Sequence, residues 1–245
     1  MIYLELVPTS LEKLSLESHW ALNTFKEIKG INIPDILRIS TRSFDAAAHI
    51  AKDDIDSIPH IRICDFNMSQ LSELCHKLSI QNVSRILLIS GDPPPNPLQP
   101  VFKHNIIEII KELSTQFKSI NFYAGCDPYR QSIRSELNYS EEKIKAGAMG
   151  LFTQPIFDIN LAKILINSSI TSQWFLGISP VLTEKSYNYW VTRNNVFFNS
   201  KFERSLDYNI NIGKDMIELC KTENHNNYIM PIKTDLQSYL KGLLT

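Results

Sequence analysis

Glu5 stands inside an apolar run, Tyr3-Leu4-Glu5-Leu6-Val7. A carboxylate buried in such a run is costly unless it is paired or protonated. Two roles are open: an interior acid held by a cation such as Arg38, or a proton donor with a raised pKa. His60 follows Pro59 in a second apolar run, where an imidazole serves either core packing or acid–base chemistry. Ser90-Gly91-Asp92-Pro93-Pro94-Pro95 follows a third run, Arg85-Ile86-Leu87-Leu88-Ile89. Its glycine permits close approach of backbone to a ligand, and its prolines stiffen the loop. Asp92 either closes an Asx-type turn or faces a ligand. Thr153-Gln154 ends a fourth run, and the Gln amide carries the donor and acceptor needed to read a heterocycle's amide edge or to cap a turn. Tyr187 and Trp190 share one helical segment, where an aromatic stripe is usually core.

The elements that must position these groups alternate along the chain. Strands are expected at residues 3–7, 35–40, 58–64, 85–90, 120–124, 150–154, 174–178 and 227–232. Helical spacing is expected over 11–29, 44–52, 68–78, 105–117, 140–146, 158–168, 184–192, 208–221 and 235–244, with an irregular insert at 193–205. Eight such strand–helix units within 245 residues predict a single-domain α/β fold over 1–245, a (β/α)8 TIM-type barrel. An open doubly wound sheet usually carries a Gly-rich first turn, and Pro8-Thr9-Ser10-Leu11-Glu12-Lys13 holds no glycine. In a barrel of this kind the carboxyl ends of the strands carry the chemistry, which is where Glu5, Asp92 and Gln154 fall.

Lys and Arg number 25 and Asp and Glu 26, a net charge of −1 that gives no global reason to bind nucleic acid or an anionic membrane. Cys64, Cys75, Cys126 and Cys220 show neither CxxC nor zinc-finger spacing, so buried reduced thiols and no metal site are expected. No apolar run approaches the ~20 residues of a membrane span. The acidic N-terminal stretch lacks the pattern of a signal peptide, which leaves the cytoplasm as the expected location.

Taken in order, ELVP, PHIR, RILLISGDPPP, KIKAGAMGLFTQPIFD and GISPV resemble the methylenetetrahydrofolate reductase family. The resemblance is most specific at Gly91-Asp92-Pro93-Pro94 and from Lys143 to Asp158. It implies a flavin-containing (β/α)8 barrel. In that family hydride passes from NAD(P)H through FAD to 5,10-methylenetetrahydrofolate, giving 5-methyltetrahydrofolate, or runs in reverse. It implies Glu5 as proton donor on the folate and Asp92 as an acid near flavin and pterin. Gln154, Trp190 and Lys233, the last on the final expected strand, fall on folate contacts. Ser40, Thr41, His60, Ser90, Gly91, Asp92, Gly125, Glu136 and Lys143 fall on cofactor contacts. The implied partners are a folate and a nicotinamide nucleotide, and a homo-oligomer is compatible with the family.

Several positions depart from the family. Ser90 stands where it has an Arg, Thr41 where it has a Tyr, and Glu142 where it has a basic residue. The segment from Gly125 to Tyr129 is shorter than its flavin-holding counterpart. These changes remove positive charge and stacking area from the flavin side, so weak FAD binding is expected. Two alternatives follow: a flavin-independent reductase, or a folate-binding paralogue without redox chemistry.

Overall fold

A computed structural model describes residues 1–94, 96 and 98–245. Pro95, the last residue of the Gly-Asp-Pro motif, lies outside the described residues. The strands are β1 (Ile2–Glu5), β2 (Ile28–Ile33), β3 (Ser57–Arg62), β4 (Arg85–Ile89), β5 (Asn121–Cys126), β6 (Gly150–Pro155), β7 (Gln173–Ile178) and β8 (Asn226–Ile229). They pair in parallel in chain order, and β8 closes on β1, giving a (β/α)8 barrel. Around it run α1 (Leu11–Thr24), α2 (Ser43–Ile50), α3 (Met68–Ile80), α4 (Ile106–Gln116), α5 (Ile133–Lys145), α6 (Ile159–Ile166), α7 (Glu184–Asn194), α8 (Leu206–Thr222) and α9 (Leu236–Leu244). Among the described residues no helix is long and apolar enough to cross a membrane.

Strand alternation explains where the polar groups go. The barrel interior is filled by Tyr3, Ile58, Leu87, Tyr123, Phe152, Phe175 and Tyr228, with Phe152 and Phe175 stacked at 4.1 Å between centroids. Side chains repeat every second residue along a strand. The residues two further on therefore form the next layer toward the carboxyl ends: Glu5, His60, Ile89, Gly125, Gln154 and Met230. An aromatic floor thus supports the layer that carries the polar groups. A second apolar shell lies between strands and helices, where strands such as β4 are buried on both faces.

The structure corrects several expected elements. The second strand is β2, not residues 35–40, and α1 stops at Thr24. Phe25 and Ile28 continue the spacing of α1, which disguised a buried strand as helix, while the alternation of Asp35 to Ser40 belongs to a loop. α5 starts at Ile133, capped by the Ser132 side chain, because its first turns are polar and carry little apolar period. α7 runs to Asn194 and ends on left-handed Asn195 (φ 54°), so the insert begins after it. Two of its three aromatics, Phe198 and Phe202, pack in one cluster with Phe157, Tyr187 and Trp190, while Phe197 is exposed. β8 ends at Ile229, and Lys233 lies in the following loop, not on the strand. Pro231 interrupts continued pairing there, because proline has no N–H to donate.

Candidate active site

Two cavities open at the carboxyl end of the barrel, with volumes of about 550 and 580 Å3. Glu5, Ile36, Tyr189, Trp190 and Ile232 line both, so Glu5 stands at their junction. The first cavity adds Lys13, Glu17, Arg38 and Lys233. The second adds His60, Ser90, Gly91, Asp92, Gly125, Glu136, Lys143 and Gln154. Most residues singled out in the sequence therefore come to one rim. Ser40 and Thr41 do not: they line neither cavity. Because β2 ends at Ile33, the loop presents Pro34, Asp35 and Arg38 to the walls instead.

The Tyr228 hydroxyl, on β8, donates to Glu5 Oε2. Burial pushes the Glu5 carboxyl up to about 7, and the hydrogen bond from Tyr228 opposes this without cancelling it. Arg38 is not its partner; it is exposed in the loop after β2. His60 is buried, and burial brings its imidazole down to about 3, so it is neutral. Its Nε2 lies 3.4 Å from Asn32 Nδ2 and 3.5 Å from the Tyr228 hydroxyl. Asn32 pairs with Glu5 in the β1–β2 register.

Asp92 is exposed on the wall of the second cavity. Its carbonyl accepts from Arg62 Nη2, and Arg62 Nε donates to Asp65 at 3.1 Å. Arg42 bonds both Asp65, at 2.8 Å, and Asp35, at 2.6 Å. This row of alternating charges ties the carboxyl ends of β2, β3 and β4 together. Gly91 makes the connection possible. Its φ is +81°, and a Cβ there would lie 2.6 Å from Cys64 Sγ and 3.1 Å from Arg62 Cβ. Gly91→Ala should therefore lower stability by about 1–3 kcal/mol. Urea unfolding would show it, with Ser90→Ala, exposed and adjacent, staying within about 0.5 kcal/mol of wild type.

Lys143 is buried and donates to the Gly125 carbonyl at 2.7 Å. Glu136 lies 3.8 Å from it, and the Tyr139 ring centroid 4.0 Å. Burial lowers the Lys143 pKa, and Glu136 works against that. Glu136, also buried, accepts from the Asp127 N–H at 3.1 Å, Arg130 at 2.9 Å and Gln131 at 2.8 Å. The negative charge beside Lys143 is thus Glu136, one face along the same helix; Glu142 is exposed and lines neither cavity. Sequence reasoning missed Tyr228, Asn32 and Arg62. Arg62 had a signal, since it stands two residues beyond His60 on the same strand face.

A flavin dinucleotide brings two negative phosphate charges to its site. On the second cavity's wall, among the described residues, Asp35, Asp92, Asp127 and Glu136 oppose Arg62, Arg130 and Lys143, and burial holds Glu5 near neutrality. Each of these cations is already engaged, Arg62 by Asp65 and the other two by Glu136. A dianion would be desolvated against a wall whose carboxylates outnumber its cations. The residues present do not fit a resident dinucleotide diphosphate.

Comparison with known proteins fits this geometry. The family model for methylenetetrahydrofolate reductase matches residues 21–211. The 5,10-methylenetetrahydrofolate reductase of Escherichia coli K12 is 22% identical over 147 residues, covering 58% of this chain and 50% of that protein. The enzyme of that description from Buchnera aphidicola subsp. Schizaphis graminum is 21% identical over 150 residues, covering 59% and 51%. The matched stretch spans about half the length of these curated relatives. Among solved structures, a protein from Clostridium thermocellum described as binding two copies of 5-methyl-5,6,7,8-tetrahydrofolic acid superposes with a TM-score of 0.68. It is 14% identical, and the match covers 100% of this chain and 94% of that one. A 2,3-dimethylmalate lyase superposes at 0.63 with 9% identity, covering 99% and 78%, a likeness of fold alone. With a family match across most of its length and a barrel that brings Glu5, Asp92 and Gln154 to one rim, the chain belongs to the methylenetetrahydrofolate reductase family.

Proposed function

We propose that the chain is a methylenetetrahydrofolate reductase-like oxidoreductase acting on a one-carbon tetrahydrofolate, with Glu5 as its proton donor. The observation that carries this reading is the Glu5 carboxyl. It lies at the junction of the two cavities and is raised to about 7, so much of it is protonated at neutral pH. A carboxyl near the usual ~4.3 would be almost wholly ionised. Glu5 gives its proton to N10 of 5,10-methylenetetrahydrofolate. The bond from the methylene carbon to N10 breaks, leaving an iminium at N5. Hydride from NAD(P)H adds to that carbon, giving 5-methyltetrahydrofolate and oxidised nicotinamide, and water returns a proton to Glu5.

Asp92 and Gln154 present a carboxylate and an amide to the pterin's polar edge, and Trp190 packs beside it. Lys233, exposed on the first cavity, faces the carboxylates of the folate tail. Only the nicotinamide end of the dinucleotide enters, while its diphosphate stays in solvent. The rigid strand ends supply the orientation that such a transfer needs.

A second reading, folate binding without redox chemistry, is favoured by one observation: the acid-rich wall of the second cavity. It draws further support from the Clostridium thermocellum protein of similar length that binds two methyltetrahydrofolates. One set of titrations separates the two. Calorimetry should show 5-methyltetrahydrofolate binding, NAD(P)H should be consumed only with methylenetetrahydrofolate present, and FAD should bind weakly at low and at high salt. Folate binding with no NAD(P)H oxidation assigns the second reading. Absence of folate binding overturns both. A protein isolated yellow, or one that binds FAD stoichiometrically, overturns the charge argument.

A further inference from the structure

Tyr228 is buried on β8, between two partners from other strands. Its hydroxyl donates to Glu5 Oε2 on β1 and lies 3.5 Å from His60 Nε2 on β3. The His60 and Tyr228 rings meet edge to face at 6.1 Å. We infer that Tyr228 is a positioning residue whose hydroxyl turns between Glu5 and His60, so that Glu5 stays hydrogen-bonded in both of its protonation states.

The argument is a count of donors and acceptors. An ionised Glu5 can only accept, and Tyr228 O–H donates to it. A protonated Glu5 must itself donate, and the Tyr228 oxygen can accept. The Tyr228 hydrogen then needs another acceptor, and a neutral imidazole with its proton on Nδ1 offers one at Nε2. Burial keeps His60 neutral, as this role requires. While Tyr228 faces Glu5, Asn32 Nδ2, 3.4 Å away, serves that nitrogen instead. Turning one O–H thus keeps Glu5 hydrogen-bonded in both states, and the Asn32 N–H displaced from Nε2 can donate to the Tyr228 oxygen, while Asn32 Oδ1 is left without a partner. Beyond Tyr228, His60 and Asn32, the charged groups that share a cavity with Glu5 are Lys13, Glu17, Arg38 and Lys233 on the first and Asp35, Arg62, Asp92, Asp127, Arg130, Glu136 and Lys143 on the second. None of them shifts the Glu5 carboxyl; burial and Tyr228 do.

The use of this switch in catalysis rests on the proposed role of Glu5, but its test needs no folate. The titration midpoint of the Glu5 carboxyl is read by infrared difference spectra of the ligand-free protein, with Glu5→Gln as the subtraction. Tyr228→Phe removes the donor to the ionised form and should raise the midpoint by about one pH unit. His60→Leu removes the acceptor that the protonated form requires and should lower it by about half a unit or more. His60→Gln, whose amide oxygen accepts, should restore the wild-type midpoint. In Tyr228→Phe/His60→Leu the His60 effect should vanish, because no hydroxyl is left to accept. Shifts of the same sign from the two single variants, or a His60→Leu effect that persists without the hydroxyl, would overturn the inference. If Tyr228→Phe fails to fold, the loss with His60→Leu and rescue with His60→Gln decide the question alone. Failure of the folate reading would appear separately, as no folate binding with these midpoints unchanged.

Discussion

Glu5→Gln should lower turnover by about 10²–10⁴-fold while leaving folate affinity within a few-fold of wild type. The amide keeps the shape of the side chain and can still accept from Tyr228, so the cavity junction survives. It cannot give up a proton, so the N10 leaving group must depart unprotonated. The pH dependence supplies a second reading of the same group. The folded carboxyl titrates near 7, above its ordinary value, because burial disfavours the ionised form. The active, protonated form therefore dominates below that value and is lost as pH rises through it. Above pH 7 the wild-type rate should fall about tenfold per pH unit, and the residual rate of Glu5→Gln should not follow. Stopped-flow NAD(P)H oxidation reads both rates, and calorimetry reads binding. A Glu5→Gln variant that turns over at the wild-type rate would make Glu5 a structural strand residue.

How much of this was legible in the sequence depends on whether a residue's environment leaves a local mark. Glu5 did, because a carboxylate between Leu4 and Leu6 demands an explanation in any fold. The barrel did, because repeated apolar runs and amphipathic segments admit few architectures. β2 did not, because Phe25 and Ile28 extend the period of the helix before it, and exposed Lys29 and a polar, buried Asn32 break its apolar run. That error displaced the expected contacts from Pro34 and Asp35 to Ser40 and Thr41. Tyr228 left no mark either. An inward aromatic on a strand looks the same whether it joins the floor, as Tyr3 and Tyr123 do, or bonds the acid above. Glu136 and Lys143 lie seven residues apart on one helix face, the spacing of a pair, but spacing does not reveal that burial makes them partners of each other.

That buried pair gives the largest stability effect expected. Glu136→Gln removes the only carboxylate within 4 Å of Lys143 among the described residues, and a buried cation left without its partner costs about 3–5 kcal/mol. Arg130, about half exposed, loses a partner but regains solvent, so the penalty falls chiefly on Lys143. Lys143 has a way out. Burial already lowers its pKa, and without Glu136 that pKa falls further. A group whose folded pKa lies below its unfolded value binds more protons when unfolded, so the variant should gain stability as pH rises toward the ordinary lysine range. Urea unfolding at several pH values would show the deficit shrinking with pH. The same substitution takes one negative charge from the second cavity's wall and frees Arg130. A dinucleotide diphosphate excluded by that wall should then bind more tightly to the variant, even as the fold weakens. Unchanged FAD affinity in Glu136→Gln would mean that something other than wall charge keeps the dinucleotide out. Unchanged stability would mean that the Gly125 carbonyl alone suffices to hold Lys143.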